Sequence, residues 1–148
     1  MNRGAIMHMP DSRWCFCLEK GRFLFRLQTG RDDLVGVTMH FRDKYIPIKF
    51  FDSRGKLSMH RVAQDSCHDY YEAELTLDLV CLRYFFELIG QDGERIYYAN
   101  CRFVKDAPDD NDRMFDLPQN LREVERFAVP AWAANQVVYQ VFPARFAS

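Results

Sequence analysis

Apolar and polar residues alternate with a period of two along most of the chain before residue 106, the pattern of strands that bury one face and wet the other. Cys15 to Glu19 alternates, Lys20-Gly21 interrupts it, and Phe23, Phe25 and Leu27 resume it against Leu24, Arg26 and Gln28, so the spacing predicts a hairpin. After Gly30, LVGVTMHFRD sets Val35, Val37, Met39 and Phe41 on one face and Gly36, Thr38, His40 and Arg42 on the other, as a half-buried strand does. Asp52 to Gly55 reads as a turn. Beyond it, LSMHRVAQ alternates less cleanly and reads as one strand. DYYEAELTL reads as the next, with Tyr71, Ala73, Leu75 and Leu77 set against Tyr70, Glu72, Glu74 and Thr76. LRYFFELI groups Leu82, Tyr84, Phe86 and Leu88, and QDG at 91–93 supplies the turn chemistry that sends the chain back through ERIYYANCRFV, the strongest hairpin in the sequence.

Short strands joined by turns, with almost no helical periodicity before residue 118, predict an all-β fold, an immunoglobulin-like antiparallel β-sandwich. Its strands are expected within roughly residues 1–105 and the domain within residues 1–120. KDAPDDNDRMFDLPQN gathers Asp, Asn and Pro without alternation and reads as a connector. Residues 121–148 are expected to form a linker, in which Pro130 opens a helical turn in PAWAANQ, followed by the start of a strand over Val137 to Phe142. That strand has no partner in its own segment, so a continuation of the chain is expected, without which residues 137–148 are frayed or held by another molecule.

Composition narrows the function classes. The 148 residues are 48% hydrophobic and 15% aromatic, rich for a generic soluble domain and in keeping with β structure. Twenty Lys and Arg against 21 Asp and Glu leave a formal net charge of −1, so no global field draws in nucleic acid or an anionic membrane, and neither partner is expected. The five cysteines are an odd number and MNRGAIMHMP lacks the apolar core of a secretory leader, so a reducing, cytoplasmic location is expected. No apolar run reaches the roughly eighteen residues of a membrane-spanning helix.

The tail PAWAANQVVYQVFPARFAS resembles the entry into the catalytic barrel of glycoside hydrolase family 13, a P-x-W segment followed by V-x-Y-Q-I-F-P-x-R-F. Trp132, Val138, Tyr139, Gln140, Phe142, Pro143, Arg145 and Phe146 match it. The preceding residues resemble the accessory module of the neopullulanase, cyclomaltodextrinase and maltogenic amylase group, carbohydrate-binding module family 34. Ala5-Ile6 with His8 and Pro10, the segment GRFLFRLQTGRDDLVGVTMHF, and DYYEAELTL followed by LRYFFEL carry that likeness. The resemblance implies a sandwich placed before a (β/α)8 barrel of which only the first strand is present. It implies an α-1,4-linked glucan or cyclodextrin as parent substrate, the chain's own catalytic barrel as a partner, and a homodimer in the parent enzyme. The family's catalytic Asp, Glu and Asp lie on later barrel strands, so no catalytic residue is assigned here and the fragment is expected not to be an enzyme. A calcium site of several relatives begins with the Asn after R-F-A, where this sequence has Ser148, so no metal site and no cofactor is inferred.

A sugar-binding surface needs flat rings exposed to the faces of pyranoses, flanked by groups that hydrogen-bond hydroxyls. One member of each consecutive aromatic pair must point away from the core of a regular strand. Tyr70, Phe85 and Tyr97, with Trp14 and Tyr45 near turns, are therefore the candidate carbohydrate contacts. A bland reading stands beside each: the outward ring packs on a loop, a sheet or a partner. Glu72 and Glu74 share a strand face, but so do charges on any wet antiparallel strand, and they read as surface. Cys15 and Cys17 share a face that His8, His60 and His68 could join, yet without a C-x-x-C pair they read as core thiols. Asp109, Asp110, Asn111 and Asp112 lack the Gly and terminal Glu of an EF-hand and read as a solvated linker. The alternative to glucan recognition or dimer assembly is a purely structural domain that covers the barrel and binds no sugar; a free-standing immunoglobulin-like interaction protein ranks last, because it leaves the Val137 to Phe142 strand unexplained.

Overall fold

A computed structural model describes residues 1–45, 54–76, 78–109, 113–117, 121, 132–133 and 136–137. The hydrophobic faces of two antiparallel sheets close on each other. Strands β1 (Cys15–Glu19), β2 (Arg22–Gly30), β5 (His60–Gln64) and β6 (His68–Thr76) make the first sheet in the order β1-β2-β6-β5. The second runs β4-β3-β7-β8-β9, from β3 (Leu34–Asp43), β4 (Arg54–Ser58), β7 (Leu82–Gly90), β8 (Arg95–Ala99) and β9 (Arg102–Val104), with β10 (Phe115–Leu117) also on β7. This is the expected all-β sandwich, and short strands with period-two patterning are what an immunoglobulin-like arrangement requires.

The strand faces fall where the alternation put them. Phe23, Phe25 and Leu27 on β2, Tyr71, Ala73 and Leu75 on β6, and Leu82, Tyr84, Phe86 and Leu88 on β7 are all buried in one cluster between the sheets. In each aromatic pair one ring turns in, Tyr71, Phe86 and Tyr98, and the other turns out. The inward rings meet edge-on or offset, with Phe25 on Tyr84 at 5.1 Å and Phe115 on Tyr84 at 5.5 Å between centroids. The imidazole of His8 lies among them, edge-on to Tyr84, Phe86 and Phe115. Its Nδ1 lies 2.7 Å from the Arg26 carbonyl oxygen and its Nε2 2.7 Å from the Tyr84 hydroxyl. A carbonyl only accepts, so Nδ1 carries the proton and Tyr84 donates to Nε2. Burial drives the His8 pKa down to about 4, against the backbone hydrogen bond that pulls it up.

Several expectations need correction. Val35 is 60% exposed, because the register of β3 against β7 shifts between Leu34 and Gly36 and the bulge turns Leu34 inward in its place. LSMHRVAQ is not one strand: the chain leaves the second sheet at Ser58, buries Met59, and enters the first sheet as β5. ERIYYANCRFV is likewise two strands, since Asn100 and Cys101 adopt φ of 44° and 59°, the left-handed pair that makes a tight hairpin turn between β8 and β9. The stretch read as a connector contains β10. Facing β7 at residues 82–84, it takes the edge that β8 occupies at residues 86–89, and it buries Phe115 and Leu117. Most of the helical turn expected from Pro130 and residues 138–142 of the strand expected over Val137 to Phe142 lie outside the described residues, as do Leu77 and Asp110 to Asp112.

Candidate functional site

The five candidate aromatics reach three places. Trp14 and Tyr70 come together on the outer face of the first sheet. Phe85 and Tyr97 come together on the outer face of the second. Tyr45 stands apart at the end of β3, 67% exposed, with its hydroxyl 3.8 Å from the Cys81 sulfur that donates to it.

The first-sheet group lines a depression of about 340 Å³ bounded by Arg13, Trp14, Arg26, Gln28, Tyr70 and Glu72, with Val62 and Ala63 at its edge. Local geometry explains how each side chain arrives. A turn before β1 is closed by the Trp14 and Cys15 amides donating to the Asp11 carbonyl at 3.0 and 3.1 Å, and Arg26 N–H then donates to the Trp14 carbonyl at 2.8 Å. With Cys15 in the core, Trp14 is turned to the outer face, where it is nevertheless buried, 4% exposed, and not the open ring expected of a sugar contact. Arg26 and Gln28 are the outward positions of β2 and stand directly opposite Glu72 and Tyr70 of β6. A bulge between Arg61 and Ala63 in β5 leaves Val62 54% exposed at the rim.

Polar contacts hold the depression in shape. Arg26 Nε donates to Glu72 Oε1 at 2.6 Å, and Arg26 Nη2 bonds the same oxygen. The Tyr70 hydroxyl donates to Asp65 Oδ2 at 2.7 Å, and Asp65 Oδ1 accepts the backbone amides of Cys67 and His68. Those amides and the phenol hold the Asp65 carboxyl down at about 2, and the hydrogen bond to the Asp65 carboxylate lifts the Tyr70 phenol above its ordinary range. Glu74, flagged with Glu72 as a surface carboxylate, pairs with Arg22 at 3.1 Å.

Phe85 and Tyr97 line a second depression of about 400 Å³ with His40, Lys56, Glu87 and Arg95. Phe85 is 6% exposed; His40 stacks on it at 4.8 Å and 10°, and Ala99 and Met114 pack with it. Glu87 joins His40 at 2.7 Å and Arg95 at 3.1 Å. Arg42 and Arg83 sit directly opposite one another across β3 and β7, both buried, with Arg83 paired to Asp116 at 2.8 Å, while Lys56 and Arg95 are the exposed cations of the lining. No group of three His, Cys, Asp or Glu side chains placed to hold a metal occurs among the described residues. Arg13, Arg26 and Gln28 were not singled out in the sequence. The signal that could have found them is that they lie off the core register beside a Trp or opposite a Tyr.

Residues 1–119 match the family model described as "Alpha amylase, N-terminal ig-like domain". The chain is 30% identical over 144 residues to a cyclomaltodextrinase of Bacillus sp, covering 97% of this chain and 25% of that one. It is 26% identical to neopullulanase 2 of Thermoactinomyces vulgaris over 97% of this chain and 24% of the relative. A solved cyclomaltodextrinase structure superposes with a TM-score of 0.77 at 28% identity, over 97% of this chain and 24% of that one. The chain thus spans about a quarter of the length of the relatives it matches.

Proposed function

Since the chain belongs to the family of alpha-amylase N-terminal Ig-like domains, we propose that it acts as the accessory N-terminal domain of an α-glucan hydrolase and contributes to glucan recognition at the Trp14–Tyr70 depression. In this reading the parent works on cyclodextrin, pullulan or starch in the cytoplasm, and hydrolysis belongs to a catalytic barrel beyond these residues. The observation that carries it is the meeting of an indole and a phenol ring with a carboxylate, a guanidinium and an amide in one depression. Rings offer electron-rich faces to the polarised C–H groups of a pyranose, while Glu72, Arg26 and Gln28 offer acceptors and donors at its hydroxyls. Both Arg26 contacts fall on Glu72 Oε1, which leaves Oε2 for an incoming hydroxyl.

The test is a titration of β-cyclodextrin or maltoheptaose against the Trp132→Phe chain, in which Trp14 is the sole indole. Saturable change in its emission, lost in Tyr70→Ala, is the expected result. No change in emission and no heat of binding would favour a purely structural domain that covers the barrel. Turnover of cyclodextrin by the 148-residue chain would refute the accessory role.

The cationic rim of the second-sheet depression favours a further reading, assembly with a second copy of the parent. Lys56 and Arg95 are exposed there, with Glu87 already shared between Arg95 and His40, an excess of positive charge suited to an acidic surface. In a parent-length protein, Lys56→Glu with Arg95→Glu, or removal of residues 1–120, should shift a dimer towards monomers in light scattering. An unchanged mass would exclude this role.

A further inference from the structure

We propose that Arg13 is a displaceable cover on Trp14, and that an α-glucan enters the depression by taking the place of the guanidinium on the indole face. This rests on the glucan reading of that depression. Trp14 is 4% exposed, yet it belongs to neither hydrophobic cluster of the sandwich. A tryptophan on the outer face of a sheet is hidden here by polar side chains. The Arg13 guanidinium carbon stands 4.9 Å from its ring centroid, and Arg26, Gln28, Tyr70 and Glu72 line the same depression.

The anchoring of Arg13 is uneven. Its backbone is fixed, because its carbonyl accepts Arg26 Nη1 at 3.2 Å and the turn around it is closed onto Asp11. Its side chain is exposed, and among the described residues it enters no ion pair, whereas the carboxylate of Glu72 is engaged by Arg26. The described contact that holds the guanidinium over the ring is thus the cation–π one. The same electron-rich face that attracts a cation attracts the C–H face of a pyranose. Swinging an exposed arginine off an indole lowers the apparent affinity by about two- to five-fold, the equivalent of an exposed cation–π contact.

The test compares Trp132→Phe with Trp132→Phe/Arg13→Ala by two readouts. Without ligand, acrylamide quenching of Trp14 should rise about two-fold or more in the alanine variant, as a covered ring becomes open. With maltoheptaose, calorimetry should show the alanine variant binding about two- to five-fold more tightly, with Arg13→Lys between the two. Saturating maltoheptaose should bring both proteins to the same low quenching. Unchanged quenching and affinity, or weaker binding in the alanine variant, would overturn the cover while the glucan reading stands on its Trp14 dependence. If quenching rises but neither protein binds maltoheptaose, the glucan reading fails and the displacement by sugar fails with it.

Discussion

Lowering the pH from 7 to 5 should destabilise this sandwich through His8. The neutral ring is fixed in the core, donating to the Arg26 carbonyl and accepting from Tyr84. A proton added at Nε2 would turn that acceptor into a donor facing a hydroxyl, in a site where the charge is desolvated. The folded pKa is about 4 against an ordinary 6.5. The unfolded state therefore binds more protons between those values, and stability falls as pH falls through the window. At pH 5 the loss works out to about 2 kcal/mol, approaching about 3 kcal/mol below pH 4. Asp32 and Asp65 have carboxyls held below their ordinary range, so what they contribute is lost only below pH 4 and does not overlap. The assay is urea unfolding at pH 7 and pH 5 of the wild type and of His8→Asn, whose amide can still donate to Arg26 but does not titrate. The variant should be less stable by about 1–3 kcal/mol at pH 7, since Tyr84 loses its acceptor. It should lose about 2 kcal/mol less than the wild type on acidification. The other histidines cancel in that difference. Equal losses in both proteins would refute the assignment.

Three further outcomes are expected. Leu88→Ala, at a fully buried position of β7, should cost about 2–5 kcal/mol in urea unfolding, because the closed sheets refill the cavity poorly. Gly55→Ala should cost about 1–3 kcal/mol: Gly55 faces Phe41 across β4 and β3, and an added Cβ would stand 2.1 Å from the Phe41 ring. A thiol reagent at pH 8 should modify the exposed Cys67 and Cys101 quickly, and Cys15, buried with its pKa pushed up to about 12, only on unfolding; rapid modification of Cys15 would contradict its burial.

The inner faces were legible because alternation over nine residues admits one register. Leu82, Tyr84, Phe86 and Leu88 could share only one side of β7, and that side had to be the core. What failed were events that break alternation while keeping composition. The bulge after Leu34 exposes a valine indistinguishable in sequence from its buried neighbours. The change of sheet at Met59 hides in a run of mixed polarity, and Asn100-Cys101 lacks the glycine that advertises a left-handed turn. β10 was missed because three residues are too few for a period to show. The aromatic pairs correctly placed Tyr70, Phe85 and Tyr97 on outer faces. Alternation does not tell which outer face, and pairing Trp14 with Tyr70 depends on β2 lying between β1 and β6. That is a non-local fact no window of sequence contains.

Under the proposed readings the two outer faces have separate tasks, and one buried cluster lies between them. On the first sheet, Arg26 is paired with Glu72 and Arg22 with Glu74, and the distinguishing feature is an indole under the guanidinium of Arg13. On the second, cations outnumber anions around Phe85 and Tyr97. Packed sheets stand roughly 10 Å apart, and outward side chains extend away on both sides, beyond the screening length of salt at physiological strength. On the proposed readings, charges reversed at Lys56 and Arg95 would therefore act on assembly without reaching a neutral sugar at Trp14. Substitutions at Arg13 or Tyr70 leave the cationic face unchanged, and sites so separated combine additively. Coupling between the two sets beyond about 0.5 kcal/mol would mean that the faces meet a common partner, as they would if a glucan bound to one copy reached across to another.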